Sequence, residues 1–243
     1  MIKHLFFDLD NTLFDFSAAE RIALDGALRD VGVTPTEEMV ADYVRINGEH
    51  WRALERGEVT REYVMYHRFR ELFDKYSPAA SELAAEDGYA RRLGDRHYYI
   101  DGAEELIRSL FGRYHLYIIS NGTKSIQDRR IDSAGIRSLF DGIFISQEIG
   151  AEKPSPEFFA AAFRAVPDFH REEALVIGDS LTSDIKGGIN AGVRTVWYNP
   201  SGAAAPPDIT PDYEIKELGT LPELIAKIPR KSYTGTAVLK KNT

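Results

Sequence analysis

The chain has 243 residues, 43% hydrophobic and 28% charged, enough to bury a proper core as one large domain or as one domain carrying a sizeable insertion. A formal net charge of −8 argues against a general nucleic-acid binder, which needs a basic face, but not against an anionic metabolite met by a local positive site. With no cysteine, disulfides, zinc–thiolate sites and thiol nucleophiles are excluded; no apolar run approaches the about 18 residues needed to span a bilayer, and the run at residues 5 to 7 ends at Asp8, too short for a secretory signal. A cytoplasmic protein without a membrane partner is expected, and the sequence leaves its oligomeric state open between monomer and weak dimer.

Leu5-Phe6-Phe7 reads as a central parallel strand buried on both faces, and it runs into Asp8-Leu9-Asp10-Asn11-Thr12. Alternate side chains of extended backbone point the same way, so Asp8 and Asp10 should emerge together at the strand's end. Two carboxylates that close need compensation, which suggests a divalent cation such as Mg²⁺; a solvated Asp-Asn turn is the plain alternative. Residues 14 to 97 then show only helical periodicity. Ala19, Ile22, Ala23, Ala27 and Leu28 mark a first helix ended by Gly32, and Thr34 with Glu37 reads as the capping box of a second that stops at Gly57. Thr60 caps a third, and Ser77-Pro78 is expected to start a fourth running towards Leu93.

From Asp101 strands and helices alternate. Leu116–Ile119, Gly142–Ile145, Ala174–Ile177 and Thr195–Trp197 read as strands, with an amphipathic helix at 103–111 and helices before Gly135, after Ser155-Pro156 and before Gly192. Residues 199 to 211 read as a surface loop. The pattern predicts an α/β fold, a doubly wound parallel sheet with an inserted all-helical domain. Its expected organisation is a core at 1–14 and 98–228, a helical domain at 15–97 and a tail at 229–243.

In such sheets ligands bind beyond the carboxyl ends of the strands. Those ends carry Asp8 and Asp10, then Ser120 and Asn121, then Asp179 with Asp184 five residues on, while Lys153 precedes a helix. Several carboxylates, one lysine, a hydroxyl and a helix start suit Mg²⁺ and phosphate. The six histidines show no metal-ligand spacing.

Asp8-Leu9-Asp10-Asn11-Thr12, Ser120-Asn121-Gly122, Lys153-Pro154 and Gly178-Asp179-Ser180-Leu181-Thr182-Ser183-Asp184 together resemble, in order, the four signatures of the haloacid dehalogenase (HAD) superfamily of phosphatases. The helical insert is similar to that superfamily's small cap, and the segment from Trp51 to Phe69 resembles the YjjG-type 5′-nucleotidases. The resemblance implies a HAD-like, Rossmann-type core. It further implies Asp8 as nucleophile forming an aspartyl-phosphate, and Asp10 as general acid and base. Mg²⁺ would be held by Asp8, the backbone carbonyl of Asp10 and Asp179. Ser120 with its hydroxyl, Asn121 with its backbone N–H and Lys153 with its charge would bind phosphate, and Asp184 would support Lys153 or a metal-bound water, or ligate the metal itself. Trp51, His67 and Arg68 are the candidate substrate contacts of the cap.

The implied substrate is a small phosphorylated metabolite, a nucleoside 5′-monophosphate first, with a sugar phosphate or phosphoglycolate as alternatives. Three rivals are weaker. A Gly-Asp-Ser-Leu esterase needs a catalytic histidine downstream, and none follows His170. A haloacid dehalogenase would have no use for Asp10 and Asp179. A phospho-accepting receiver module is about half this length, has no cap, and keeps its phosphoryl group.

Overall fold

The computed structural model describes residues 1–77 and 79–229. Six parallel strands lie in the order β3-β2-β1-β4-β5-β6: β1 (His4–Asp8), β2 (His115–Ser120), β3 (Gly142–Ile145), β4 (Ala174–Gly178), β5 (Arg194–Tyr198) and β6 (Tyr213–Ile215). The central β1 buries Leu5 and Phe7 with Ile118, Leu175 and Ile177 on one face, and Phe6 with Tyr117, Ile119 and Val176 on the other. Burial on both sides is why its sequence is a continuous apolar run rather than an alternation. From β1 the chain winds one way through β2 and β3, and from β4 the other way through β5 and β6. The loops after β1 and β4 therefore diverge and leave a crevice between them.

Of the five helices between β1 and β2, the first four form a block: α1 (Phe16–Asp30), α2 (Glu37–Glu55), α3 (Arg61–Tyr76) and α4 (Glu82–Asp95). They bury a cluster of their own, with Leu24, Leu28, Tyr43, Phe69, Leu72 and Tyr89 at its centre. The chain enters and leaves this block side by side: Asp15 N donates to Tyr98 O at 2.8 Å and Ile100 N to Leu13 O at 3.0 Å. The Phe14 ring packs edge-on against Tyr99 there. The remaining helices are α5 (Ala103–Leu110), α6 (Lys124–Ser133), α7 (Ser146–Ile149), α8 (Pro156–Arg164), α9 (Lys186–Asn190) and α10 (Leu221–Lys227). Helices α5 and α10 cover one face of the sheet and α8 the other.

Several boundaries differ from the sequence expectation. The cap of α2 is Thr36, whose hydroxyl accepts from Met39 N at 3.2 Å, not Thr34, and this brings Glu37 and Glu38 into the favourable first turn. Helix α4 is capped by Ser81, which accepts from Ala84 N, because Ser77 and Ala80 close a turn instead; Pro78 lies outside the described residues. A π turn, Leu181–Ile185, precedes α9. Strand β6, α7 and α10 were not expected. Of the expected tail, 230–243 lies outside the described residues. Among the described residues no helix is long and apolar enough to cross a membrane.

Candidate active site at the ends of β1 and β4

Asp8 closes β1, Asp179 follows β4, and Asp184 is carried back towards both by the π turn. One carboxylate oxygen of each lies within 4.8 Å of the others. Asp184 folds beneath the strand end because residue 178 is glycine; a Cβ there would collide with the Asp184 carboxylate. Its Oδ2 accepts from Ser180 N at 3.1 Å. Asp179 is steadied by Thr12, whose Oγ1 accepts from Asp179 N at 3.0 Å, and by Trp197, whose Nε1 donates to the Asp179 carbonyl at 2.8 Å.

Lys153, 1% exposed, comes from the loop between α7 and α8. Its Nζ donates to Asp8 Oδ1 and Asp184 Oδ1, each at 2.6 Å, and to the Ile119 carbonyl at 3.1 Å. Three carboxylates against one ammonium leave a surplus of two negative charges if all are ionised (3 − 1 = 2). Burial, and then the neighbouring Asp184, push Asp8 well above the usual carboxylate range, and the same causes push Asp179 up to about 7. Burial disfavours the Lys153 ammonium, but Asp184 and Asp8 outweigh it and hold its pKa above the ordinary lysine value. A buried group of hard oxygen donors with surplus negative charge fits a small divalent cation, Mg²⁺ in chemical character.

Ser120 ends β2 and is fully buried. Its Oγ accepts from Gly122 N at 3.0 Å and from Gln127 Nε2 at 2.9 Å, which leaves its own O–H to donate. The Asn121 side chain turns instead to Lys153, donating to its carbonyl at 2.9 Å and accepting from its N–H at 2.7 Å. It thus locks the lysine loop, a role the sequence did not show. Asp10 keeps its carboxylate out of the carboxylate trio. Its Oδ2 accepts from Gln127 Nε2 at 2.6 Å, and its Oδ1 is paired with Arg130 NH1. Neither Gln127 nor Arg130 was anticipated; the one signal was two polar residues at i, i+3 between Ile126 and Ile131 on α6.

These groups open into a cavity of about 400 Å³, within the usual range for small-molecule sites. Its far wall belongs to the helical block: Phe16, Glu20, Asn47, Trp51 and Arg68. Of the candidate cap residues, Trp51 and Arg68 line the cavity. His67 does not: it stacks on Tyr63 with ring centroids 3.7 Å apart, away from the cavity wall. Arg68 is itself engaged, donating to Glu86 at 2.6 and 2.9 Å and to Asn47 Oδ1 at 3.1 Å. Asn47 Nδ2 donates to Glu20 Oε1 at 2.7 Å, and burial pushes Glu20 up to about 7. Glu20 and Asn47 were also missed, since nothing marks them apart from other polar helix residues.

The strand-end carboxylates and buried lysine therefore lie in the crevice where the winding of the sheet reverses, the place where open α/β sheets bind their ligands. The haloacid dehalogenase-like hydrolase family matches residues 2–192, and the chain belongs to that family. It is 42% identical over 219 residues to the HAD-hydrolase YfnB of Bacillus subtilis, covering 90% of this chain and 93% of that one. A magnesium-bound crystal structure of YfnB, which reveals interdomain movement, superposes with a TM-score of 0.88 at 41% identity, covering 92% of this chain and 98% of that one. The pyrimidine 5′-nucleotidase PynA of Streptococcus pneumoniae is 36% identical over 88% of this chain and 90% of its own length. The pyrimidine 5′-nucleotidase YjjG of Escherichia coli is 30% identical over 92% of this chain and 97% of its own.

Proposed function

We propose that this chain is a Mg²⁺-dependent phosphomonoesterase acting on pyrimidine nucleoside 5′-monophosphates. One observation carries the chemistry: Asp8, Lys153, Asp179 and Asp184 share a buried cluster at the mouth of a cavity that Asp10 also lines. An Asp8 oxygen attacks phosphorus as the ester P–O bond breaks, and the leaving oxygen takes the proton carried by Asp10. Water then attacks the aspartyl-phosphate and gives its proton to Asp10. The P–O bond to Asp8 breaks, releasing phosphate and restoring the carboxylate. Asp8, Asp179 and the backbone carbonyl of Asp10 would hold Mg²⁺, with Asp184 within reach of the same ion. When bound, the ion offsets the negative charge of Asp8 and of the transferring group. Lys153 adds a point charge, and Ser120 donates its hydroxyl to a phosphoryl oxygen.

The block α1–α4 acts in this reading as a cap that chooses the leaving group. Trp51 and Phe16 offer aromatic faces to a base, worth roughly 1–3 kcal/mol per stacked ring, and Asn47 and Glu20 offer polar atoms beside them. The two pyrimidine nucleotidases matched over nearly their whole length support the choice of base. The test compares kcat/KM for pyrimidine and purine 5′-monophosphates, sugar phosphates and phosphoglycolate, with Mg²⁺ and with EDTA. Pyrimidine nucleotides should lead, EDTA should stop turnover, and Asp8→Asn should abolish it. A sugar phosphate or phosphoglycolate outrunning every nucleotide would overturn the substrate; full activity in Asp8→Asn would overturn the mechanism.

A further inference from the structure

We propose that Gln127 and Arg130 are positioning residues for Asp10, a buried clamp that fixes the direction of its carboxylate relative to Ser120. This rests on the phosphomonoesterase reading, in which Asp10 handles the proton. Three contacts close a ring of Asp10, Gln127 and Arg130, and a fourth ties that ring to Ser120. Gln127 Nε2 donates to Asp10 Oδ2 at 2.6 Å and to Ser120 Oγ at 2.9 Å. Arg130 NH1 donates to Gln127 Oε1 at 2.9 Å and is paired with Asp10 Oδ1. One residue thus touches both the proton-handling carboxylate and the hydroxyl aimed at phosphate.

The cost of this arrangement points to a role beyond packing. Arg130 is 0% exposed, and among the described residues its only carboxylate partner is Asp10. Its Nε and NH2 have no hydrogen-bond partner there, and the guanidinium instead lies over Phe14 and Phe16 at 5.3 and 5.9 Å. An apolar side chain would fill such a site at less desolvation cost. The loop after β2 also makes room for the clamp, since a Cβ on Gly122 would collide with the Gln127 amide. Each donor occupies one lone-pair position of its Asp10 oxygen, which leaves a second on each without a donor among the described residues, and Asp10 lines the cavity. The carboxylate is therefore held without being capped. A proton carrier with free side-chain torsions would spend much of its time misdirected, and fixing it acts on turnover rather than on binding.

The test measures kcat and KM on an aryl phosphate with saturating Mg²⁺ for Gln127→Leu, Arg130→Lys and Arg130→Met, alone and combined with Asp10→Asn. An aryl ester is chosen because it needs little protonation and leaves Asp10→Asn measurable. Gln127→Leu should lower kcat about tenfold or more with KM within about threefold, and the loss should shrink below about twofold in the Asp10→Asn background. Arg130→Lys should recover part of what Arg130→Met loses. If Arg130→Met does not fold, Gln127→Leu and Arg130→Lys still separate the outcomes. A loss carried by KM, or one that persists in full beside Asp10→Asn and vanishes beside Ser120→Ala, would place the clamp on phosphate binding and overturn the inference. An inactive wild type would remove the phosphomonoesterase reading along with it; an active wild type with additive doubles removes the clamp alone.

Discussion

The Lys153 ammonium has three N–H donors, and Asp8, Asp184 and the Ile119 carbonyl take all three. In the proposed reaction its action on the phosphoryl group is therefore that of a fixed charge. Its action on the protein is larger, because it is the cation among three carboxylates, two of them, Asp8 and Asp184, buried. Removing one member of a buried pair leaves the other uncompensated, at a cost of about 3–5 kcal/mol. Lys153→Met, which keeps the length of the side chain, should lose stability of that order in EDTA near neutral pH, read from urea unfolding midpoints beside wild type. The gap should narrow in acid, where Asp8 and Asp179 take up protons, and narrow again in Mg²⁺. Equal midpoints in EDTA would mean that the ammonium is not what holds the carboxylates together.

Between elements, α4 packs on α6, and one further, buried contact between the helical block and the loops of the sheet is Arg61 of α3. Its NH2 reaches Glu152 at 2.7 and 2.8 Å, Ser146 Oγ at 2.7 Å and the Asn121 carbonyl at 3.0 Å, and its guanidinium lies 5.3 Å from the centre of the Trp51 ring. One side chain therefore links the cavity's far wall to the loops carrying Asn121 and Lys153. A second tie, Thr182 Oγ1 to Glu55 Oε2 at 3.1 Å, is weaker and more exposed. Hydrogen bonds to a charged group contribute about 1.5–3 kcal/mol, enough to shift a closed block to a mixture of closed and open. Arg61→Ala should enlarge the radius of gyration in solution scattering and lower kcat/KM by about tenfold or more; an unchanged scattering curve and unchanged kinetics would discard the tie. The elements themselves were largely legible. Apolar runs ending in aspartate revealed β1 and β4, and the lack of alternation between 14 and 97 revealed the helical block. Strand β6 was hidden because it is three residues long and only Ile215 is fully buried. His67 and Arg68 show a different limit. Adjacent residues on a helix point about 100° apart, and only packing decides that Arg68 turns to the cavity while His67 stacks on Tyr63. Gln127 and Arg130 escaped for the same reason, since the register of α6 against β2 is a tertiary fact.

Over the whole molecule, the two polar centres leave the same mark on stability and can be separated. Asp179, pushed up to about 7, and Asp8, raised well above the ordinary carboxylate range by burial and by the neighbouring Asp184, bind protons more tightly folded than unfolded. Glu20, in the helical block, is pushed up to about 7 by burial. For such groups the folded state holds more protons across the interval between the unfolded and folded pKa. Stability is therefore fully present below the ordinary carboxylate range and is lost as pH rises through about 7. The surface carboxylates held low by arginine or lysine, such as Asp25 and Asp30, act only below that range. His4 and His97, lowered by burial, act with the opposite sign, gaining stability as pH rises towards about 6.5. The metal-free protein should therefore lose melting temperature as pH rises from about 4.5 to about 7, with the two histidines offsetting part of the loss as pH approaches 6.5. Mg²⁺ binds the ionised carboxylates of the folded state alone, and at a hundred times its Kd adds about 2.7 kcal/mol. That gain should grow with pH through the same interval, because protons compete for the same oxygens. Subtracting the EDTA curve from the Mg²⁺ curve cancels Glu20 and both histidines and leaves the aspartates. Glu20→Gln should flatten what slope remains in Mg²⁺ without changing that difference. A Mg²⁺ gain that is the same at every pH would mean that the Asp8–Asp179–Asp184 cluster does not take up protons in place of the ion.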